Sequence, residues 1–169
     1  LTFALPLRMF VESADGARSC DVFWSGNPNS CLPGKPVRWP MLSRAFQTRK
    51  WHSSVIASRG LGWDVYWNLL RSCNLALCPS GADETDAMRT YEAAACGAIP
   101  VFVGYPGDRE RDPWFGGEHC IDCTVETLPA HLDEALANDQ TPKRRALLEH
   151  ARKHHTTRAR AEKLLEKTL

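Results

Sequence analysis

In the stretch "CPSGADETDAMRTYEAAACGAIPVFV" (residues 78–103), Glu84 and Glu92 bracket seven residues, and Arg89 stands three before the second acid. Residues three and four apart are neighbours on a helix, so Thr85, Arg89 and Glu92 share one face while Ala87, Met88, Tyr91, Ala94 and Ala95 form a packing side. Glu84 falls at or just before the helix start, two turns from Glu92. A helix start carries unpaired N–H groups and the positive end of the dipole, an anion site by construction, and the "SGA" turn lets backbone come close to a ligand. Arg89 suits the neutralisation of a diphosphate; a carboxylate such as Glu92 can accept hydrogen bonds from two adjacent ribose hydroxyls. A phosphate and a sugar require opposite partners, and this segment has both. The same spacing also fits a plainer arrangement, an Arg89–Glu92 surface pair worth about 0.2–0.5 kcal/mol with Asp83 or Glu84 as a first-turn acid.

The order of apolar runs supplies the frame that would hold these groups. "CDVFWSG" (Cys20 to Gly26) is rich in strand formers and stops at a turn, followed by the Pro/Gly loop "NPNSCLPGKP". From Val37 to Gln47, Met41, Leu42, Ala45 and Phe46 recur at helical spacing with Pro40 in the opening turn. "WHSSVIAS" predicts a second strand, and "GWDVYWNLLRSC" a helix with Val65, Leu69 and Leu70 on its apolar face and Asp64 as N-cap. "NLALCPS" and "AIPVFVG" are unbroken apolar strands of the kind found in parallel sheets covered on both faces, the second tolerating Pro100 near its start. Between them the spacing predicts a helix from Thr85 to Cys96 closed by Gly97. After the turn-rich "YPGDRERDPWFGGEH" come a short strand near "CIDC" and helices over 126–137, 143–153 and 158–167. Strands alternating with helices predict an α/β fold, a Rossmann-like doubly wound parallel sheet with C-terminal helices. Ligands bind such sheets outside the carboxyl ends of the strands, where strand order reverses. Those ends carry "SGNPNS", "CPSGADET" and "VGYPGDRE".

Composition narrows the function classes. A chain of 169 residues makes one domain with a proper core, burying roughly 70% of its unfolded surface. No run of eighteen apolar residues occurs, so no membrane span is expected. The net charge is +1, and the basic tail "KRRALLEHARKHHTTRARAEK" carries Leu147, Leu148, Ala151, Ala161, Leu164 and Leu165 at helical spacing, with Glu149, Glu162 and Glu166 diluting its charge. It reads as solvated helix faces over a core stripe rather than a nucleic-acid surface. The seven cysteines are odd in number and mostly lie in apolar runs, which reads as reduced and buried. "CIDC" has no second pair to complete a four-ligand zinc site, and His154 and His155 point apart on a helix, so no metal is expected. There is no GxGxxG after the first strand, no GxxxxGK[ST] and no G-x-S-x-G elbow. Trp24 and Trp39 fit packing; Trp114 either lines a cleft or pins its own loop.

"YWNLLRSCNLALCPSGADETDAMRTYEAAACGAIPVFVG", together with "DVFWSGN", Arg38 and the Met41–Leu42 pair, resembles the donor-binding C-terminal half of GT-B glycosyltransferases. Within them it is most similar to the exostosin-like and the bacterial spore-maturation-like transferases, which carry an Arg three residues before the second Glu. The likeness spans Asp21 to Asn138, with "RARAEKLLEKTL" also in character. It implies that residues 20–169 form a Rossmann-like domain for a nucleotide-diphosphate sugar, a UDP-sugar by preference, with residues 1–19 a linker or N-terminal extension. The N-terminal acceptor half would lie outside this chain, which would then bind donor with little or no transfer. The resemblance implies that Glu92 binds the ribose and that Glu84, as catalytic residue, sits by the donor's sugar ring. Ser80, Gly81 and Thr85 would lie at the diphosphate with Arg89 or Arg38 assisting, and Gly26 and Asn27 would border the interdomain cleft. It implies transfer to an acceptor hydroxyl on a glycan, protein or small molecule, with no cofactor and no metal. "GADETDAM" is more acidic than the family's usual turn, and Lys35 is only a candidate for a second basic residue. The compartment would be the cytoplasm for a bacterial-type member and the Golgi lumen for an exostosin-like one. A degenerate domain that binds a regulatory partner is the alternative.

Overall fold

The computed structural model describes residues 5–26, 38–45, 47, 54–57, 60–79, 88–104 and 118–168. Strands β1 (Cys20–Ser25), β2 (Ser54–Ala57), β3 (Cys73–Pro79), β4 (Ile99–Val103) and β5 (Ile121–Cys123) form one sheet in the order β2-β1-β3-β4-β5. Every pairing is parallel, with Val22 opposite both Ser54 and Leu75, Leu75 opposite Ile99, and Val101 opposite Ile121. Helices α1 (Arg38–Ala45), α2 (Trp63–Ser72), α3 (Met88–Ala95), α4 (Leu128–Ala137), α5 (Thr141–His154) and α6 (Thr157–Thr168) complete the expected doubly wound α/β domain. Strand order reverses between β1 and β3, which is where such a sheet opens a crevice at its carboxyl edge.

Two cores sandwich the sheet because side chains alternate along each strand. On one face Val22, Trp24, Leu75, Leu77, Ile99, Val101 and Val103 pack under α1 and α4 through Met41, Leu42, Leu128 and Leu132. On the other, Phe23, Cys73, Ala76 and Cys78 meet α2, α3 and α5 through Trp67, Leu70, Ala93–Ala95, Leu147 and Leu148. Of the six described cysteines all but Cys123 are buried, as their apolar settings predict. Burial pushes the Cys96 and Cys123 thiols each up to about 12, which makes them poor nucleophiles.

Two sequence expectations for α2 need correction. Its N-cap is Gly62, with Asp64 inside the first turn, where an acid still complements the dipole. Its buried face is Trp67 and Leu70, whereas Val65 is 50% exposed, because the helix turns its Tyr66 edge toward β1.

Residues 5–19, expected as a linker or N-terminal extension, lie against the α2, α3 and α5 layer. Leu5, Phe10 and Ala14 are buried in that core, and Leu7–Met9 form one 3₁₀ turn. Leu5 bridges Thr156, donating to the His155 carbonyl at 3.1 Å and accepting from Thr157 N–H at 3.0 Å. The Arg18 guanidinium donates to the carbonyls of Arg71, Cys96 and Gly97, placing a cation at the C-terminal ends of both α2 and α3. Alternation and periodicity are blind to such a segment, because it is neither strand nor helix and docks through scattered apolar residues.

Gly97 closes α3 in a Schellman arrangement: Ala98 N–H donates to Ala93 at 2.9 Å and Gly97 N–H to Ala94 at 3.1 Å. Its φ is +67°, and a Cβ there would lie 2.8 Å from Arg18 Nη2. Gly97→Ala should therefore cost about 1–2 kcal/mol from the left-handed backbone alone, seen as an earlier urea midpoint with an unchanged slope.

Four imidazoles gather where α5 meets α6. His150 lies 4.2 Å from His119, 4.7 Å from His154 and 5.5 Å from His155, centroid to centroid, and His155 packs on Tyr91 of α3 at 5.1 Å. Arg160 Nη2 is 2.9 Å from His155 Nδ1; a guanidinium only donates, so Nδ1 accepts and the ring is neutral. Burial, then the charges of Arg160 and the other histidines, hold His155 at about 3, against 6.5 unfolded. The unfolded chain takes up a proton that the folded chain refuses, so this stability is complete above pH 6.5 and declines as pH falls toward 3. The thermal midpoint should drop more steeply on acidification to about pH 4 in the wild type than in His155→Gln, which lacks that titration.

Candidate functional site

Helix α3 lies low on the sheet. Ala93, Ala94, Ala95, Cys96 and Ala98 are all fully buried in one cluster with Ala76 and Cys78 of β3, and no long side chain holds helix and strand apart. That close approach carries Glu92 inward to 6% exposure, which excludes the surface ion pair that the spacing also allowed. A buried carboxylate must find a donor. It finds Tyr66 of α2, whose hydroxyl donates to Glu92 Oε2.

The Tyr66 ring is fixed on three sides by edge-to-face contacts with Phe23 at 5.6 Å, Trp67 at 5.9 Å and Trp63 at 6.2 Å, a favoured aromatic geometry. Burial and then the Glu92 charge raise its phenol above the usual 10.0, while the charge of the Arg89 guanidinium pulls the other way. Arg89 and Glu92 stand three residues apart on α3, on one side of the helix.

Arg89 also extends over Trp24, its guanidinium carbon 5.9 Å from the ring centroid, a cation–π distance. Trp24 belongs to the core on the opposite face, so this contact passes over the carboxyl edge of β1. Gly26 follows the strand there, and a Cβ on it would come within 3.0 Å of Trp24 Cζ2; the backbone skims the indole. Two N–H donors at this edge, Trp24 Nε1 and Arg89 Nε, are buried with no hydrogen-bond partner among the described residues. An unmet buried donor costs about 1–3 kcal/mol, and an acceptor oxygen would satisfy it.

The structure therefore brings Arg89, Glu92 and Gly26 to the β1/β3 reversal. Arg38 is the first residue of α1, in the layer across the sheet from α3. Asn27, Ser80, Gly81, Glu84 and Thr85 lie outside the described residues, as do Lys35 and Trp114. Sequence reasoning missed Tyr66 and gave Trp24 only a packing role. The available signal for Tyr66 was an amphipathic side chain one turn into a helix, beside Trp67 on its packing side; for Trp24 it was an indole placed immediately before a Ser-Gly turn.

A guanidinium, a carboxylate and unmet N–H donors at the switch point of an α/β domain are groups that can bind an anionic, hydroxyl-bearing ligand. A family model described as glycosyl transferase-like matches residues 9–166. The chain belongs to that family, whose class of chemistry is sugar transfer. No curated protein matches it. Among the described residues no helix is long and apolar enough to cross a membrane.

Because Tyr66 is held protonated past 10.0, an alkaline absorbance titration should give the same phenol step near that value in the wild type and in Tyr66→Phe. Loss of one phenol from that step in the variant would contradict the geometry.

Proposed function

We propose that this domain binds a nucleotide-diphosphate sugar, a UDP-sugar by preference, at the carboxyl edge of β1 and β3, for transfer of the sugar to an acceptor hydroxyl. The observation that supports this most is the buried Glu92 carboxylate held by the Tyr66 hydroxyl, with Arg89 three residues before it on α3 and reaching over Trp24 near the end of β1. Arg89 offers a cation to the diphosphate. Glu92 offers a carboxylate oxygen to the ribose, a pairing that a simple anion site would not need. In transfer the bond from the sugar's anomeric carbon to the diphosphate oxygen breaks, the acceptor oxygen bonds to that carbon, and the acceptor's proton passes to a base. Charge builds on the departing diphosphate, and a pre-placed guanidinium lowers the barrier by meeting it there.

Glu84 as the group beside the donor sugar, with Ser80, Gly81 and Thr85 at the diphosphate and Asn27 at the cleft, are the remaining parts of this proposal; they rest on sequence. So do the exostosin-like or spore-maturation-like affiliation, a GT-B partner half carrying the acceptor site, and a reaction needing no cofactor.

The test is the thermal midpoint of the chain with UDP, GDP, ADP and TDP, beside Glu92→Ala. A ligand at about 100 times its Kd adds about 2.7 kcal/mol, or about 5–10 °C for a domain of this size. A shift with one nucleotide that vanishes in the variant supports the site and names the base. A folded wild type that shifts with none of them overturns donor binding by this domain.

A further inference from the structure

The proposed donor site leaves one polar group unassigned, the hydroxyl of Tyr66. Its ring makes edge-to-face contacts with Phe23, Trp63 and Trp67 at interplanar angles of 63°, 90° and 81°, which restrict its turning. Glu92 by contrast reaches it on a flexible stem. The single hydroxyl proton goes to Glu92 Oε2.

We propose that Tyr66 is the positioning residue of this site: it pins one oxygen of Glu92 and leaves the other, Oε1, as the fixed acceptor that selects ribose over 2′-deoxyribose. This rests on the nucleotide-sugar reading above. The physical reason is orientation. A carboxylate free to rotate can follow whichever hydroxyl remains when one is removed, and discriminates weakly. A carboxylate with Oε2 held by the phenol cannot follow, so the loss of a ligand hydroxyl leaves Oε1 without that donor. Tyr66 does not touch the reacting atoms and acts through Glu92.

The experiment compares the affinity of the chain for the ribo- and 2′-deoxyribo- forms of whichever diphosphate shifts its midpoint, in wild type, Tyr66→Phe and Phe23→Leu. Tyr66→Phe keeps the ring and removes only the hydroxyl; Phe23→Leu keeps the hydroxyl and loosens one wall of the ring, and guards against a poorly folded first variant. In the wild type the ribonucleotide should bind roughly tenfold or more tighter, the scale of one hydrogen bond to a charged group. Tyr66→Phe should bring the two forms to within about twofold, mainly by weakening the ribonucleotide, with Phe23→Leu between. A structural role alone would weaken both forms equally and keep the ratio. An unchanged ratio in a Tyr66→Phe protein that still binds overturns this inference and leaves the donor site standing. A wild type that binds no diphosphate overturns both.

Discussion

The organisation of this domain depends on how closely α3 can lie on β3. Alanine and cysteine on both sides of that contact let the backbones approach, and the contact buries whatever the helix carries on its adjoining face. Glu92 is on that face, so its carboxylate leaves water and must be answered by a protein donor. Leucine in place of Ala94 or Ala76 would lift the helix, return Glu92 to solvent and remove the reason for Tyr66 to be where it is. The polar cluster is thus a product of apolar packing, and its geometry is as rigid as that packing.

From that follows a division of labour between the two ends of the helices. At their C-terminal ends α2 and α3 are tied together by the three carbonyls that Arg18 gathers and by the Schellman turn at Gly97. Above those ends, the Tyr66 hydroxyl of α2 donates to Glu92 of α3. One bond set fixes the spacing of the helices where nothing binds, and the other uses that spacing where the sheet opens. Arg89 then links this layer to the other through Trp24, so the crevice between β1 and β3 is bordered from both faces by groups in mutual contact.

Much of this was legible in the sequence. Unbroken apolar runs marked the strands, helical spacing marked α1 through α6 although the α6 stripe of Ala161, Leu164 and Leu165, read as core-facing, is exposed, and the glycine after "EAAAC" marked the end of α3. The pair Arg89 and Glu92 could be picked out because an acid and a base three residues apart on a helix must share a face. Three things were not legible, each for a physical reason. Tyr66 is brought to Glu92 by the order of the strands, which periodicity does not encode. Val65 looked apolar enough to be buried, but the helix rotates to give its aromatic edge to Phe23. Leu5, Phe10 and Ala14 have no regular spacing, and their burial depends on α5, more than a hundred residues away in the chain. The roles read onto Glu84, Ser80, Gly81, Thr85 and Asn27 remain where the sequence put them, outside the described residues.

The bridge between Leu5 and Thr156 sets the order in which the domain can be made. On a ribosome residues 5–19 emerge well before residues 141–157, yet the groups that receive them include the α5–α6 turn, Leu147 and Leu148, and the Arg152 side chain that donates to the carbonyls of Val11 and Glu12. These are synthesised after all five strands. The central strands β1, β3 and β4 can pair while Phe10 and Ala14 still wait in solvent, and the closure entropy of that long loop is paid only at the final step. Residues 5–19 are placed in full only once α5 has been made, and until then the domain carries an apolar segment that a chaperone has reason to hold.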